Sequence, residues 1–235
     1  MRKIFKNDKL IFPAGQVDTQ LVKNVGNEIK EFVSVNAKMG PFERHKPHLL
    51  LPTVYDLCEN KIILKSVEGF LGKEAFLWYS VFFLKKKSSE QFIPWHYDDY
   101  FWSITGKNGC TAWIAIEDVD EEMGPMEFCF DSISNHSHQT ETNENNMLAR
   151  GNTSTFNPTD DSVIKKVCLK KGQFSLHSNK VWHRSGTNKS NRDRIAVALR
   201  FITNDAFPIK LKYIKRGAVG SNFDKKFFFR EERPA

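Results

Sequence analysis

Trp95-His96-Tyr97-Asp98 is the stretch that decides how this chain is interpreted. In an extended strand alternate side chains point to one face, so the imidazole of His96 and the carboxylate of Asp98 are directed at the same point. With His183, further along the chain, they complete the set of two histidines and one carboxylate that holds non-haem Fe(II) and leaves coordination positions open. The pattern predicts an iron site and oxygen chemistry.

An H-x-D pair also occurs by chance, as a surface turn or around a packed core histidine. The surroundings of His183 favour the metal site, because the run 182–186 (WHRSG) reads as the end of a strand and Arg192 and Arg194 follow it. A keto acid that chelates iron projects its far carboxylate away from the metal, where a guanidinium group can bind it through two hydrogen bonds. Both arginines are candidates for that contact.

Three blocks of sequence carry a family resemblance through their order and spacing. They are 94–98 (PWHYD), 112–126 (AWIAIEDVDEEMGPM) and 171–194. Together they resemble the phytanoyl-CoA dioxygenase-like branch of the Fe(II)/2-oxoglutarate oxygenases. The resemblance implies a jelly-roll enzyme that decarboxylates 2-oxoglutarate to succinate and CO2 while it hydroxylates a small-molecule substrate.

The resemblance also implies roles for individual residues. Three of them match the iron ligands: His96, Asp98 and His183. Arg194 matches the residue that anchors 2-oxoglutarate, and Ser185 matches a hydroxyl group that shares the same carboxylate. Three aromatic residues match the co-substrate side of the site: Trp102, Trp113 and Tyr79. The implied cofactors are Fe(II), 2-oxoglutarate as co-substrate and O2.

The chain is basic, with a formal net charge of +7. Such a balance suits acidic substrates, coenzyme A phosphates or nucleic acid, and it equally suits a solvated surface rich in lysine. No nucleic-acid recognition motif accompanies the charge. A small-molecule substrate is therefore expected, and the alternatives are a nucleic-acid demethylase of the same superfamily and a jelly-roll binding domain without turnover.

The four cysteines are widely spaced and contain no C-x-x-C motif, which predicts reduced thiols and neither a disulfide scaffold nor a zinc site. The first residues lack the apolar core of a secretion signal, and no stretch approaches the ~20 apolar residues of a membrane span. We therefore expect a cytoplasmic protein without a membrane span.

The order of patterns along the chain predicts an α+β protein that is mainly β, with a double-stranded β-helix (cupin-like) core behind flanking N-terminal helices. Asp18 is placed to cap a helix that ends near residue 39, and a second helix is predicted from Val54 to Leu71. Strand-like runs follow at 75–84, 110–118, 126–131, 163–169, 173–178 and 194–203.

A single oxygenase domain is predicted over residues 1–235, because all-β barrels of this length commonly form one unit. It divides into a helical part over about 1–72, a jelly-roll core over about 73–205 and a basic extension over 206–235. Residues 134–162 are rich in Asn, Thr, Ser and Asp and predict a long loop. We expect that loop to border the iron pocket.

Overall fold

The computed structural model describes residues 3–5, 10–36, 44–72, 75–102, 109–130, 138–140, 143–148, 152–154 and 158–203. Two antiparallel sheets form the framework. The strands of the larger sheet are β1 (Lys3–Phe5), β2 (Leu10–Gln16), β3 (Ala75–Lys85), β5 (Gly109–Ala115), β10 (Gln173–Ser178) and β12 (Arg194–Thr203). Those of the smaller sheet are β4 (Ile93–His96), β6 (Met126–Cys129), β9 (Ile164–Val167) and β11 (Trp182–Ser185).

The strand orders are β1-β2-β10-β5-β12-β3 in the larger sheet and β4-β11-β6-β9 in the smaller one. Neighbouring strands are mostly distant in sequence, as in a jelly roll. A separate pair, β7 (His138–Thr140) and β8 (Asn152–Ser154), forms a small hairpin-like sheet. The predicted mainly-β class and jelly-roll core are confirmed.

Strand β12 shows how the two faces of the larger sheet differ. Ile195, Val197 and Leu199 belong to the hydrophobic cluster that includes the helices, whereas Ala196 and Ala198 belong to the cluster that includes the smaller sheet. This alternation follows from the two-residue repeat of a strand. One face of the larger sheet is thus covered by helices, and the other faces the interior of the jelly roll.

The helices are α1 (Thr19–Val35), α2 (Pro52–Cys58), α3 (Lys61–Leu71) and the short α4 (Asp99–Trp102). Asp18 caps α1 as predicted, since its carboxylate accepts hydrogen bonds from the backbone N–H groups of Gln20 and Leu21 at 2.9 and 3.0 Å. The first helix ends at Val35, a few residues before the predicted end.

The single helix predicted from Val54 to Leu71 is wrong: α2 and α3 are separate helices. The break comes at Asn60, whose side chain accepts hydrogen bonds from the N–H groups of Ile62 and Ile63 and starts a new helix. The end of α3 is as expected, because Gly72 adopts a left-handed conformation with φ 72°.

The segment predicted to be helical, 1–72, also contains β1 and β2, and β2 pairs with β10 inside the larger sheet. Within the predicted loop 134–162, β8 lies beside β4 and residues 143–148 are hydrogen-bonded to Phe92, just before β4. These parts of the loop therefore border the strand that carries His96. Residues 134–137, 141–142, 149–151 and 155–157 of this loop and the basic extension 206–235 lie outside the described residues.

Among the described helices, none is long and apolar enough to cross a membrane. All four cysteines are free thiols, and three of them are buried: Cys58, Cys110 and Cys129. This agrees with the expectation of reduced cysteines.

Candidate metal centre

The three predicted iron ligands converge on one buried point. His96 is the last residue of β4 and His183 lies directly opposite it in β11, so the antiparallel register brings the two imidazoles together. Asp98 follows two residues after His96, just before α4. One potential ligand atom from each of the three residues lies within 4.8 Å of the others. All three side chains are buried.

Both histidines are held in the tautomer that leaves Nε2 free to bind a metal. Nδ1 of His96 lies 2.9 Å from the carbonyl oxygen of Pro94, and Nδ1 of His183 lies 2.9 Å from that of Val181. A carbonyl oxygen can only accept, so each Nδ1 carries the hydrogen and donates it. The lone pair of each neutral ring is then on Nε2. Burial lowers the pKa of both imidazoles, which favours the neutral form that binds metal.

Asp98 is held as a carboxylate by its neighbours. Its Oδ2 accepts a hydrogen bond from the Thr111 hydroxyl at 2.7 Å, and Oδ1 lies 3.1 Å from Nη2 of Arg200. Burial acts to raise the pKa of Asp98, but the positive charge of Arg200, followed by the nearby imidazoles, outweighs burial and holds the pKa well below its usual range. Oδ1 has no aligned hydrogen bond among the described residues and keeps a lone pair available.

A third histidine packs against this cluster. Nε2 of His177 lies 3.8 Å from Oδ2 of Asp98, and its ring centroid is 4.8 Å from that of His183. Its position behind Asp98 is that of a supporting residue, since the three-residue set of potential ligands does not include it.

Arg194 lies fully buried at the start of β12, with the Trp113 ring 5.5 Å from its guanidinium carbon. Nη1 donates to the carbonyl oxygen of Gly124. Nε and Nη2 have no hydrogen-bond partner among the described residues. A buried guanidinium group with two unused donors is costly unless an anion accepts from them, so its environment suits a carboxylate ligand.

Arg192, the other candidate from the sequence, is in a different environment. Its side chain is 52% exposed and its Nη2 forms an ion pair with Oδ2 of Asp120 at 2.6 Å. It is a surface residue engaged with an acidic neighbour. Arg194 and Arg192 therefore differ in burial, because Arg194 is buried in β12 and Arg192 is exposed at the surface.

Ser185 is buried in β11, and its hydroxyl oxygen lies 2.8 Å from the Nζ atom of Lys85. Lys85, the last residue of β3, is itself buried and pairs in register with Arg194. Two basic side chains and one hydroxyl group thus meet at the same end of the jelly-roll interior.

Trp102 and Tyr79 lie elsewhere, around Arg200. The guanidinium carbon of Arg200 is 5.9 Å from each ring, and Arg200 is the residue that contacts Asp98. Of the aromatic residues matched to the co-substrate side, Trp113 is therefore near Arg194, whereas Trp102 and Tyr79 are on the side of Asp98.

Arg194 and Arg200 lie on the same face of β12 because they are six residues apart, and the two residues between them on that face are Ala196 and Ala198. These small side chains separate the two guanidinium groups along the strand. Sequence reasoning missed Arg200, although the even spacing from Arg194 is a signal that could have found it. It also missed Lys85, which in the sequence is only the charged residue that follows the apolar run 75–84.

The chain was compared with known proteins. The model of the phytanoyl-CoA dioxygenase (PhyH) family matches residues 26–196. The chain belongs to this family. A curated relative, a phytanoyl-CoA dioxygenase domain-containing protein 1 homolog from Caenorhabditis briggsae, is 25% identical over 166 residues, which is 66% of this chain. The match spans only 56% of that relative's length.

Solved structures share the fold. The apo form of the non-heme monooxygenase ThoJ superimposes with a TM-score of 0.71 at 22% identity, over 86% of this chain and 76% of that chain. The epimerase SnoN, solved with Fe3+, alpha ketoglutarate and nogalamycin RO, gives a TM-score of 0.67 at 17% identity, over 93% and 88% of the two chains. At these identities the likeness shows that this PhyH family member has the fold of non-heme oxygenases.

Proposed function

We propose that this protein is an Fe(II)- and 2-oxoglutarate-dependent dioxygenase that hydroxylates a small-molecule substrate. The observation that carries the proposal is the coexistence of two incomplete sites in one interior. One is a buried set of two histidines and one carboxylate with free lone pairs. The other is a buried arginine with two unused donors, Arg194.

The donor set fits Fe(II). Two neutral imidazoles and one carboxylate form the facial triad of non-haem iron, and this set leaves positions open for other ligands. His96, Asp98 and His183 would hold the metal. The backbone carbonyl groups of Pro94 and Val181 would fix the rings, and the Thr111 hydroxyl would fix the carboxylate.

The environment of Arg194 fits the far carboxylate of 2-oxoglutarate. Arg194 would bind this group through Nε and Nη2 while Gly124 holds Nη1, and Ser185 would add its hydroxyl group. When bound, Fe(II) and 2-oxoglutarate supply the oxygen activation, with loss of CO2 and formation of succinate. The protein's part is to orient the keto acid and to exclude water.

Aromatic side chains support a small organic substrate. The Phe101 ring lies 5.8 Å from that of His96, and Tyr100, which is 46% exposed, packs edge-on against Phe101. An apolar wall of this kind beside the metal ligands suits a hydrophobic or aromatic portion of a substrate.

The basic surface gives little support for nucleic acid as the substrate. Several exposed cations among the described residues form ion pairs with acidic neighbours: Lys30 with Glu117, Lys86 with Asp193, Lys170 with Asp118 and Arg192 with Asp120. A patch that binds phosphates would keep such cations available.

We also propose that the chain forms a single domain and acts in the cytoplasm. Residues of α1, α2 and α3 share one hydrophobic cluster with the larger sheet, which supports a single unit. Free thiols at all four cysteines are typical of a reducing compartment.

The test of the proposed function uses the purified chain with Fe(II), 2-oxoglutarate and O2. We expect succinate release above background with at least one member of a metabolite panel, and a slower uncoupled release without substrate. Under anaerobic conditions 2-oxoglutarate should produce the visible charge-transfer absorption of an iron–keto acid chelate. The His183→Ala variant, folded as judged by circular dichroism, is the matched control and should show neither signal.

A chain that binds Fe(II) but gives no chelate absorption and no decarboxylation would overturn the proposal. That result would favour a jelly-roll binding domain without turnover. Turnover of methylated oligonucleotides and of no small molecule would favour a nucleic-acid demethylase.

A further inference from the structure

Lys85 is a buried lysine whose side chain neither the metal nor the anchoring of 2-oxoglutarate by Arg194 requires. Its side chain is inaccessible to solvent, and it forms no ion pair with any described residue. Nζ lies 3.1 Å from the carbonyl oxygen and 2.8 Å from the hydroxyl oxygen of Ser185, and it also contacts the carbonyl oxygen of Gly186. Lys85 thus touches the residue that would share the far carboxylate of 2-oxoglutarate.

These three contacts can be satisfied in two ways. A neutral amine has two N–H groups and one lone pair, so it can donate to the two carbonyl oxygens and accept the hydroxyl hydrogen of Ser185. An ammonium group has three N–H groups and donates to all three oxygens. In that second state the Ser185 hydroxyl hydrogen is released and can be donated to another acceptor.

The charges around Lys85 favour the neutral amine before a ligand arrives. Burial, and then the positive charge of Arg194 on β12, lower the pKa of Lys85 to about 5. Among the described residues, the opposing charge that acts on Lys85 is Glu127 on β6, and Arg184 already binds that carboxylate at 3.0 Å. A dianionic ligand whose far carboxylate lies against Arg194 and Ser185 would reverse this balance.

We propose that Lys85 takes up a proton when 2-oxoglutarate binds, and that the resulting ammonium group turns the Ser185 hydroxyl toward the bound carboxylate. The proton comes from solvent and is held on Nζ, and no covalent bond to carbon changes. Lys85 is a positioning residue, since it acts through Ser185 and through its charge. The inference rests on the proposed binding of 2-oxoglutarate.

The proposal predicts how affinity depends on pH. A ligand that brings one proton with it binds best below the pKa of the free group and loses affinity as the pH rises. For Lys85 this window begins at about pH 5 and extends to the higher pKa of the complex. Within it, the dissociation constant of 2-oxoglutarate should rise by up to about tenfold per pH unit, because one proton is linked to binding.

Calorimetry of the Ni(II)-loaded protein measures the proton directly. Nickel keeps the site occupied without oxygen chemistry, and the histidines have released their protons before the titration starts. Titrations of 2-oxoglutarate in buffers with different ionisation enthalpies should give an uptake approaching one proton at pH 7. The matched ligand is 2-oxopentanoate, which keeps the chelating end and lacks the far carboxylate, and it should bind without this uptake.

Three variants separate the role of Lys85 from a structural one. Lys85→Met should abolish the proton uptake and flatten the pH dependence. Lys85→Arg, which is charged at every pH in the window, should also lose the uptake but retain tighter binding than Lys85→Met at pH 8. Lys86→Met, at the exposed neighbouring lysine that pairs with Asp193, should behave as the unmodified protein.

The outcomes are distinguishable. Binding of 2-oxoglutarate with no proton uptake, or with the same uptake in Lys85→Met, overturns the role of Lys85 and leaves the proposed function intact. Failure of the unmodified Ni(II)-loaded protein to bind 2-oxoglutarate overturns both. If Lys85→Met does not fold, the comparison of 2-oxoglutarate with 2-oxopentanoate on the unmodified protein still decides, because equal uptake with both ligands contradicts the proposal.

Discussion

At the scale of single residues, Asp98 and Arg194 combine deep burial with polar atoms that lack an aligned hydrogen bond. Asp98 and Arg194 are both essentially inaccessible to solvent, and each keeps atoms without a hydrogen-bond partner among the described residues. Unpaired buried polar atoms are uncommon in folded proteins because each costs free energy. At Asp98 and Arg194 such atoms belong to residues whose chemistry suits a metal ion and a carboxylate, and this is informative about function.

The first prediction concerns the metal ligands. His96→Ala, Asp98→Ala and His183→Ala should each weaken Fe(II) or Ni(II) binding by more than about a hundredfold, since even the loss of a supporting contact to a ligand costs about 10–100-fold. The measurement is metal content after desalting, together with calorimetric titration. His45→Ala, which removes a histidine from outside the cluster, should retain the metal, and retention of full affinity in any ligand variant would contradict the assignment.

The second prediction separates the two arginines. Arg194→Ala should raise the dissociation constant of 2-oxoglutarate by about one to three orders of magnitude, as expected for loss of a buried charge-assisted pair. Arg192→Ala should change it by about twofold or less, because an exposed ion pair contributes little. Titration of the Ni(II)-loaded variants measures both constants. The reverse ranking would mean that the far carboxylate lies near the Asp120 side of the surface.

The sequence identified residues whose chemistry follows a recognisable spacing, and the structure brings His96, Asp98 and His183 together as that spacing requires. Sequence reasoning did not identify Lys85 or Arg200, and the even spacing of Arg200 from Arg194 was the one signal available for either. Lysine and arginine are usually solvated, so only the register of β12 with β3 shows that both are turned inward. Burial of a charged residue depends on the fold around it and leaves no local pattern.

At the scale of secondary-structure elements, the turn at Gly124, next to the smaller sheet, accepts a hydrogen bond from Arg194. Gly124 lies just before β6 with φ 63°, and its carbonyl oxygen is the acceptor for Nη1 of Arg194. A Cβ atom added there would be 2.3 Å from the carbonyl oxygen of Gly186 and 2.6 Å from that of Thr187. These are backbone atoms, so a side chain can be accommodated only if the turn moves.

The third prediction follows from this turn. Gly124→Ala should lower the free energy of unfolding by about 2–4 kcal/mol, from a left-handed conformation and a clash with backbone. It should also weaken 2-oxoglutarate binding, because the carbonyl group that holds Arg194 is displaced. The control is Gly69→Ala in α3, where an added Cβ meets nothing within 4 Å. That variant should stabilise the protein by about 0.5–1 kcal/mol, as chemical denaturation would show.

The elements that sequence patterns predicted include those with long apolar periodicity, such as α1, β3 and β12, and also the short strands β6 and β9. The strands β4 and β11 have four residues each and were expected only as extended segments around His96 and His183, without predicted bounds. Their pairing is set by the smaller sheet as a whole, and it is the pairing that aligns His96 with His183. The break between α2 and α3 was missed because Asn60 interrupts a stretch whose apolar spacing continues across it.

At the scale of the whole molecule, the two faces of the larger sheet have different roles. One face packs in the apolar core that stabilises the fold, and the other carries charged residues of the candidate site. The helix-covered face carries Ile195, Val197 and Leu199 in a continuous apolar cluster, whereas the opposite face carries Arg194 and Arg200. The apolar cluster can stabilise a fold in which the interior retains buried charge. Such a fold should therefore gain stability when that interior charge is removed or neutralised.

The fourth prediction concerns one such group, Lys85, which the metal-free, ligand-free protein buries by releasing its proton. Its pKa is about 5 when folded and near the ordinary value of 10.5 when unfolded. Between these values the unfolded chain binds one more proton than the folded protein, so stability must rise with pH. From pH 6 to 9 the free energy of unfolding of the unmodified protein, relative to Lys85→Met, should increase by up to about 1.4 kcal/mol per pH unit.

Urea denaturation with a chelator present measures this difference, and Lys86→Met should follow the unmodified protein. A difference that does not change with pH would mean that Lys85 is already an ammonium group when buried, and it would remove the basis for proton uptake on binding 2-oxoglutarate.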